Sequence, residues 1–513
     1  MNCHPERSEG SGVRRKLQIP RVALLAVFSL LPIAARPAHA QTETVLYSFT
    51  GGSDGRYPEG RLTSDGSGNF YGATTGGGLG SGTVFELSPN GGGGWSETVL
   101  HSFTGGLDGG TPYYSYVIFD SAGNLYGTAS QGGAYGDGVV FQLSPAGTNW
   151  TETVLYNFES QSGGGHPQNG LIFDSSGNLY GMNSAGVFEL SPSDGEWTEQ
   201  VIYETETGSY AGLAISAGKI FGVGMETIFE LSPNGDGGWT PTVIHTFTGY
   251  PTDGLTAESA PVPDNKGNLY GTTLAGGAYG KAHGGYGTVY KLSPGEEGWT
   301  EEILHSFKGE PTDGSGPWDA VSFDTVGNIY GTTILGGTSR VGTVFELAAP
   351  IGTGSYQEKV LWNFNISDGD GPYGGLILDD VNNLYGTTIA GDPRQGAGCG
   401  GYGCGIVFEV AGVFEASSTT LASSPNPSTD GEAVTFSAIV TSNAGPPPDG
   451  EIVSFMNGKT LLGTGALSGG SASFTTSALK VGKTAVTAAY GGDSKLLGSK
   501  SAPVKQVVNK AGK

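Results

Sequence analysis

Basic residues are scarce. The 513 residues include 24 Lys and Arg against 48 Asp and Glu, a formal net charge of −24. A surface of that sign repels phosphate backbones, which excludes nucleic acid as a partner. Cysteine is scarcer still, at three, and only Cys399 and Cys404 fall outside the first dozen residues. Two thiolates alone make an incomplete zinc site, so in an exported chain the pair predicts a local disulfide around Gly-Gly-Tyr-Gly. No apolar run reaches the length of a membrane span. Charged residues make up only 14%, while aromatics reach 10% and Gly supplies 93 positions. That balance is the reverse of a disordered chain. So much glycine without a Gly-X-Y register points to a turn-dense all-β protein.

The N-terminus carries an export pattern. Arg14, Arg15, Lys16 and Arg21 precede the apolar stretch 22–35, and Ala38-His39-Ala40 has the small-x-small form of a cleavage site. Residues 1–40 are therefore expected to be a signal peptide, with the mature chain starting at Gln41. The first dozen residues match neither signal nor domain, which predicts a translation start further downstream. No cysteine stands directly after the cleavage site, where Gln41 is found, and no sorting motif stands near the C-terminus. A secreted, periplasmic or cell-surface protein without a lipid anchor is expected, with no membrane span in the mature chain. Charge is unevenly spread: residues 41–415 hold 10 basic and 41 acidic groups, and residues 416–513 hold 8 and 5. The net values, −31 and +3, mark a domain boundary near residue 415.

A single phrase dominates the chain. Asn69-Phe70-Tyr71-Gly72 recurs as Asn124 to Gly127, Asn178 to Gly181, Asn268 to Gly271, Asn328 to Gly331 and Asn383 to Gly386, with a worn copy at Lys219 to Gly222. The aromatic positions 71, 126, 180, 221, 270, 330 and 385 are 41 to 60 residues apart. Each copy contains four strand-like runs, here a to d, separated by turn signals. Four strands per period of about fifty residues is the arithmetic of a propeller blade. Runs a, b and c occur seven times, but run d follows only the first six copies. The missing one stands at the other end, as Glu43 to Phe49, which matches Glu97 to Phe103 and Glu152 to Phe158. The expected fold is therefore all-β: a seven-bladed β-propeller over 41–412 closed by the N-terminal strand, plus a second small domain. The glycine after each aromatic predicts a large neighbouring side chain that needs its space.

The phrases Tyr270 to Gly277, Tyr330 to Gly337, Gly82 to Leu87 and Gly342 to Leu347 resemble the GloVer tandem repeat of bacterial exported and surface proteins, over about residues 42–411. The resemblance implies an exported, envelope-associated location and no particular activity. From Ser417 the phrase vanishes. Period-2 runs at Ala433 to Val440, Ile452 to Phe455 and Thr484 to Tyr490, with turns between them, predict an Ig-like sandwich over 417–509. This part resembles bacterial Ig-like repeats, generally spacers or adhesion modules, and is expected to be a spacer.

Candidate chemistry is thin. His101, His245 and His305 occupy the position that Tyr47, Tyr156, Tyr203 and Trp362 hold in other copies, so they read as fillers of an aromatic slot. Glu86, Glu189, Glu230, Glu346 and Glu409 recur in run c and read as structural groups, because a general acid and base must converge at one place. The Asp-Gly pairs after run d, at Asp54, Asp108, Asp253, Asp313 and Asp368, would together make a ring of carboxylates able to hold Ca²⁺ or a hydroxyl-rich ligand. Their simpler role is to make the turn. The expanded loop of the fifth copy offers Tyr279, Lys281, His283 and Tyr286 to stack and hydrogen-bond a sugar. No catalytic residue and no metal site are assigned, and Ca²⁺ is the one cofactor considered. The expectation is a monomeric, non-enzymatic binding or structural protein of the cell exterior, its partner a polysaccharide or other envelope component. The competing reading is a polysaccharide-active hydrolase or lyase on a propeller scaffold.

Overall fold

The computed structural model describes residues 41–161, 163–205, 211–281, 284–324, 327–350, 354–380, 382–392, 399–411, 417–442, 446–492, 496 and 498–511. The expected signal peptide and His283 lie outside them. Among these residues the regular structure is β throughout, and no helix is long and apolar enough to cross a membrane.

Residues 42–411 form seven four-stranded antiparallel sheets. The third is the pattern for all: a is Gln168–Phe173, b is Leu179–Asn183, c is Gly186–Ser193 and d is Glu196–Glu204. In the seventh, strands Ile377–Leu378, Leu384–Thr388 and Ile406–Ala411 are completed by Thr42–Ser48 from the other end of the region. Thr42 lies opposite Ala411 and Ser48 opposite Ile406. The N-terminal strand thus takes the place of the missing d, and each of the seven sheets has four strands among the described residues.

The recurring phrase has a structural cause. In the fifth sheet Asp264 closes the a–b turn by accepting hydrogen bonds from the backbone of Lys266 and Asn268, from Asn268 Nδ2 at 2.7 Å and from Tyr270 Oη at 3.3 Å. Asp120, Asp174, Asp324 and Asp379 bind the matching Asn and Tyr in the same way. The worn copy has Ser216, Lys219 and Phe221 instead, and Lys219 pairs with Glu230 at 2.6 Å. The invariant glycine lies opposite an aromatic of strand c. A Cβ on Gly181 would stand 2.5 Å from Phe188 Cζ, and one on Gly222 would stand 2.3 Å from Phe229 Cζ. The crowding comes from the cross-strand partner within the same sheet, with Leu171 of strand a and Leu213, just ahead of strand a, also close.

Neighbouring sheets touch in sequence order. Tyr71 meets Phe119, Tyr126 meets Phe173 and Tyr270 meets Phe323, each edge to face at 4.9–5.1 Å between ring centroids. Tyr180 meets Trp239 and Phe221 meets Trp299. Thr332 Oγ1 donates to Gly374 O. The seventh sheet meets the first: Tyr385 lies 4.5 Å from Phe70, and Thr387 Oγ1 donates to Gly60 O at 3.0 Å.

Each c–d pair carries a register shift one or two residues before the aromatic slot of strand d. In the fifth sheet Ile303 pairs with Tyr290 and His305 with Val289, leaving Leu304 unpaired. Because side chains alternate with period two, such a bulge turns the residues beyond it to the other face. His305 therefore shares a face with Val289, while Glu301, opposite Leu292, looks the other way.

Residues 417–509 form two sheets, one of three strands (Ser417–Ser424, Val434–Ser442, Ser471–Thr476) and one built around Gly482–Tyr490. Val434, Phe436, Ala438 and Val440 alternate inward and share a core with Val453, Phe455, Val486, Ala488 and Tyr490. This is the Ig-like domain expected from the alternation.

Candidate functional site

The Asp-Gly carboxylates turn onto their own loops. Asp54 accepts from the Thr50 amide at 2.7 Å, Thr50 Oγ1 at 2.6 Å and Tyr47 Oη at 3.1 Å. Asp108 does the same with Thr104, Asp253 with Thr248 and Gly254, Asp313 with Lys308 and Gly314, and Asp368 with Asn365. In the fifth-copy loop Tyr279 is 46% exposed, with Lys308 Nζ 5.9 Å from its ring centre, and Lys281 is exposed. Tyr286 is half-buried, its ring packed over Gly280 and Gly309. Cys399 and Cys404 are joined in a disulfide, its sulfurs packed against Gly51.

A different set of residues converges. Four positions before the residue of strand a that pairs with the repeat aromatic stand Glu59, Tyr114, Gln168, Glu258, Trp318 and Tyr373. Three of these are large aromatics from the second, sixth and seventh sheets, and their rings meet. Tyr114 lies 5.6 Å from Trp318 and 6.0 Å from Tyr373, and Trp318 lies 5.1 Å from Tyr373. Tyr113 extends the group, 4.3 Å from Tyr114. All four rings are half-buried, so part of each remains open to a ligand. Tyr114 holds φ at +49°, a left-handed conformation that costs a non-glycine residue about 1–2 kcal/mol.

Charge is gathered beside the rings. Glu59 is buried at 7% exposure, and no hydrogen bond reaches its Oε2. Burial pushes its carboxyl up to about 7, against a backbone hydrogen bond from Tyr114. Arg61 stands 4.2 Å over the Tyr116 ring. Asp319 accepts from the amides of Ala320 and Gly375, both at 2.6 Å; desolvation raises its carboxyl while the charge of Arg61 works against that. The arrangement offers flat apolar faces, tyrosine hydroxyls and a carboxyl poised to gain or lose a proton near neutrality, the mixture found in sites for polar organic ligands.

Sequence reasoning passed over this cluster because its members sit in irregular d–a segments and share no residue type. It also passed over a second set. Glu43, Glu97, Glu152, Glu199, Glu301 and Glu358 occupy one position of strand d in six of the seven sheets, and the Oε1 of each is buried without a hydrogen bond. The same comparison of copies that found the Asn-x-Tyr phrase would have found them, since each stands four residues before the aromatic slot of strand d or of its equivalent.

The model of the Gloeobacter/Verrucomicrobia repeat matches residues 33–187, 80–281 and 198–445, and that of the bacterial Ig-like domain (group 3) matches 421–509. No curated protein matches the sequence significantly. Among solved structures, a Bacteroides uniformis protein assigned as a 6-phosphogluconolactonase is 12% identical with a TM-score of 0.40, over 59% of this chain and 84% of its own. The extracellular domain of a B. thetaiotaomicron protein assigned as a hybrid two-component system is 12% identical with a TM-score of 0.31, over 89% and 69%. A β-xylosidase is 13% identical with a TM-score of 0.28, over 52% and 98%. At these scores the likenesses carry no argument about fold or activity. The three overlapping repeat matches cover well over half the sequence, and the chain belongs to the Gloeobacter/Verrucomicrobia repeat family, with a bacterial Ig-like domain at its C-terminal end.

Proposed function

We propose that the chain is an exported, non-enzymatic binding protein of the cell exterior whose ligand is a glycan or envelope polymer. In this reading residues 1–40 are a cleaved signal peptide, and residues 41–412 close as a seven-bladed propeller with the N-terminal strand as clasp. The Ig-like domain is a spacer. The meeting of Tyr114, from the second sheet, with Trp318 and Tyr373, from the sixth and seventh, carries the proposal. In a closed ring, aromatics from sheets two, six and seven would come together near the axis, where propeller loops converge. Their faces suit the apolar side of a sugar ring, and Glu59 and the tyrosine hydroxyls suit its hydroxyl groups.

The test is retention of the mature chain (residues 41–513) on a panel of bacterial and plant polysaccharides, with release of new sugar ends scored in parallel. Retention without new ends is expected, with a loss of at least about tenfold, or about 1.4 kcal/mol, in Trp318→Ala. A second reading, a polysaccharide-active enzyme, draws support from Glu59, whose carboxyl near 7 suits a general acid. New sugar ends that disappear in Glu59→Gln would establish that reading and overturn the first.

A further inference from the structure

The bulge in strand d and the Asp-Gly loop together create an arrangement that neither explains alone. His245 and the loop residue Asp253 belong to the fourth sheet, and Glu301 to strand d of the fifth. The bulge turns the histidine toward the next sheet, and the glutamate of that sheet, ahead of its own bulge, faces back. One sheet further on, His305, Asp313 and Glu358 repeat the set between the fifth and sixth sheets. Within each trio one nitrogen and two carboxylate oxygens lie within 4.8 Å of one another.

In the first trio the spacing is wider than in a hydrogen-bonded cluster. His245 Nε2 stands 3.7 Å from Asp253 Oδ1 and 3.5 Å from Glu301 Oε1, and neither that nitrogen nor that glutamate oxygen has a hydrogen-bond partner. Ligand atoms held by tetrahedral bonds of about 2.0–2.1 Å lie about 3.3–3.4 Å apart, so the two distances from His245 are close to the edge lengths of a metal site. In the second trio His305 Nε2 is hydrogen-bonded to Asp313 Oδ2 at 3.1 Å, a contact that an ion would replace, and Glu358 Oε1 is buried without a partner. The aspartates are braced from outside. Thr248 and Gly254 fix Asp253, and Lys308 and Gly314 fix Asp313, as outer-shell bonds orient metal ligands. Both loops share the sequence Pro-Thr-Asp-Gly, one residue longer than the loop ending at Asp108. Where that residue is missing, His101 lies 3.6 Å from Asp108, and no comparable trio forms among the described residues.

We propose that these two His-Asp-Glu trios each hold a first-row divalent ion of the Zn²⁺ type, with water as the fourth ligand, clipping the fourth sheet to the fifth and the fifth to the sixth. One imidazole with two carboxylates suits Zn²⁺ better than Ca²⁺, which takes six to eight oxygens. The ions would act as inter-sheet rivets, independent of the aromatic cluster and of any glycan bound there.

The experiment uses the mature chain dialysed against EDTA and titrated with Zn²⁺ in competition with a chromophoric chelator. Two equivalents per chain are expected. His245→Ala with Glu301→Gln should leave one, as should His305→Ala with Glu358→Gln, and the four-fold variant should leave none. Zn²⁺ should raise the melting temperature of the native sequence and not that of the four-fold variant. Circular dichroism of the metal-free proteins checks that the variants fold, and single Glu→Gln changes, each expected to weaken its own site at least tenfold, stand in for any that do not. Absence of micromolar Zn²⁺ binding would overturn the proposal. So would a stoichiometry unchanged by the substitutions, or displacement of Zn²⁺ by equimolar Ca²⁺.

Discussion

Carboxyl groups in this protein fall into two populations with opposite responses to acid. Asp120 and Asp264 each brace an a–b turn. Partial burial opposes their ionisation, but hydrogen bonds from Asn124, Tyr126 and Ala122, or from Asn268, Lys266 and Tyr270, hold them below the usual aspartate value. Their stabilisation is present above the unfolded-state value and is lost as pH falls below about 4. Glu43, Glu97, Glu152 and Glu199 behave in the reverse sense. Burial, reinforced for the first three by the charges of Asp368, Asp54 and Asp108, pushes Glu43 up to about 8 and the others to about 7. A raised value means that the folded state holds protons which the unfolded state has released, so stability is full below about 4.5 and declines as pH rises through 7 to 8. The melting temperature should therefore peak near pH 5 and fall toward pH 9. Replacing the four glutamates by Gln should flatten the alkaline limb and leave the acid limb in place. A melting series from pH 3 to 9 on both proteins decides this, and an unflattened alkaline limb would refute the assignment.

At the scale of strands, what could be read from the sequence was what repeats. The Asn-x-Tyr phrase, the four runs and the borrowed strand were legible because they recur in a fixed order, and the Asp-braced turn accounts for the phrase. The crowding partner of the glycine was harder to place, because only the register shows that Phe188 stands across from Gly181. The bulge was not legible at all. It comes from a one-residue mismatch between strands c and d that leaves no residue-type signature, yet it decides which face His245 and His305 occupy. The role of strand Thr42–Ser48 leads to an expected outcome. Deleting residues 41–49 removes the fourth strand of the seventh sheet and uncovers the edge of Ile406–Ala411, which would invite association with other chains. Size-exclusion chromatography should show oligomers and a lowered melting point, and a synthetic peptide of residues 41–50 should reverse both. A truncated protein that stays monomeric and equally stable would contradict the pairing.

Over the whole molecule the unequal charge is the main long-range force. Residues 41–415 carry −31 and residues 416–513 carry +3, so the repeat region is strained by self-repulsion. Raising NaCl from about 0.01 to about 0.15 M shortens the Debye length from about 30 to about 8 Å and should raise the melting temperature of the repeat region; a fall would mean that attractive pairs dominate instead. The candidate ligand site shows how far sequence reading reaches at this scale. Tyr114, Trp318 and Tyr373 are up to 259 positions apart, and nothing local to any of them announces the other two. Only the order in which sheets meet brings them together.

The pairing of Thr42–Ser48 with Ile406–Ala411 also sets an order of events in time. The strand synthesised first finds its partner only after the last repeat has been made. Until then it must wait, while the intervening sheets assemble from local contacts behind it. Closing so long a loop comes late and is slow, and the waiting strand is the segment most open to wrong partners. Completion of the repeat region is thus governed by its final few residues, and a nascent chain that stops short of Ala411 has no route to the finished state.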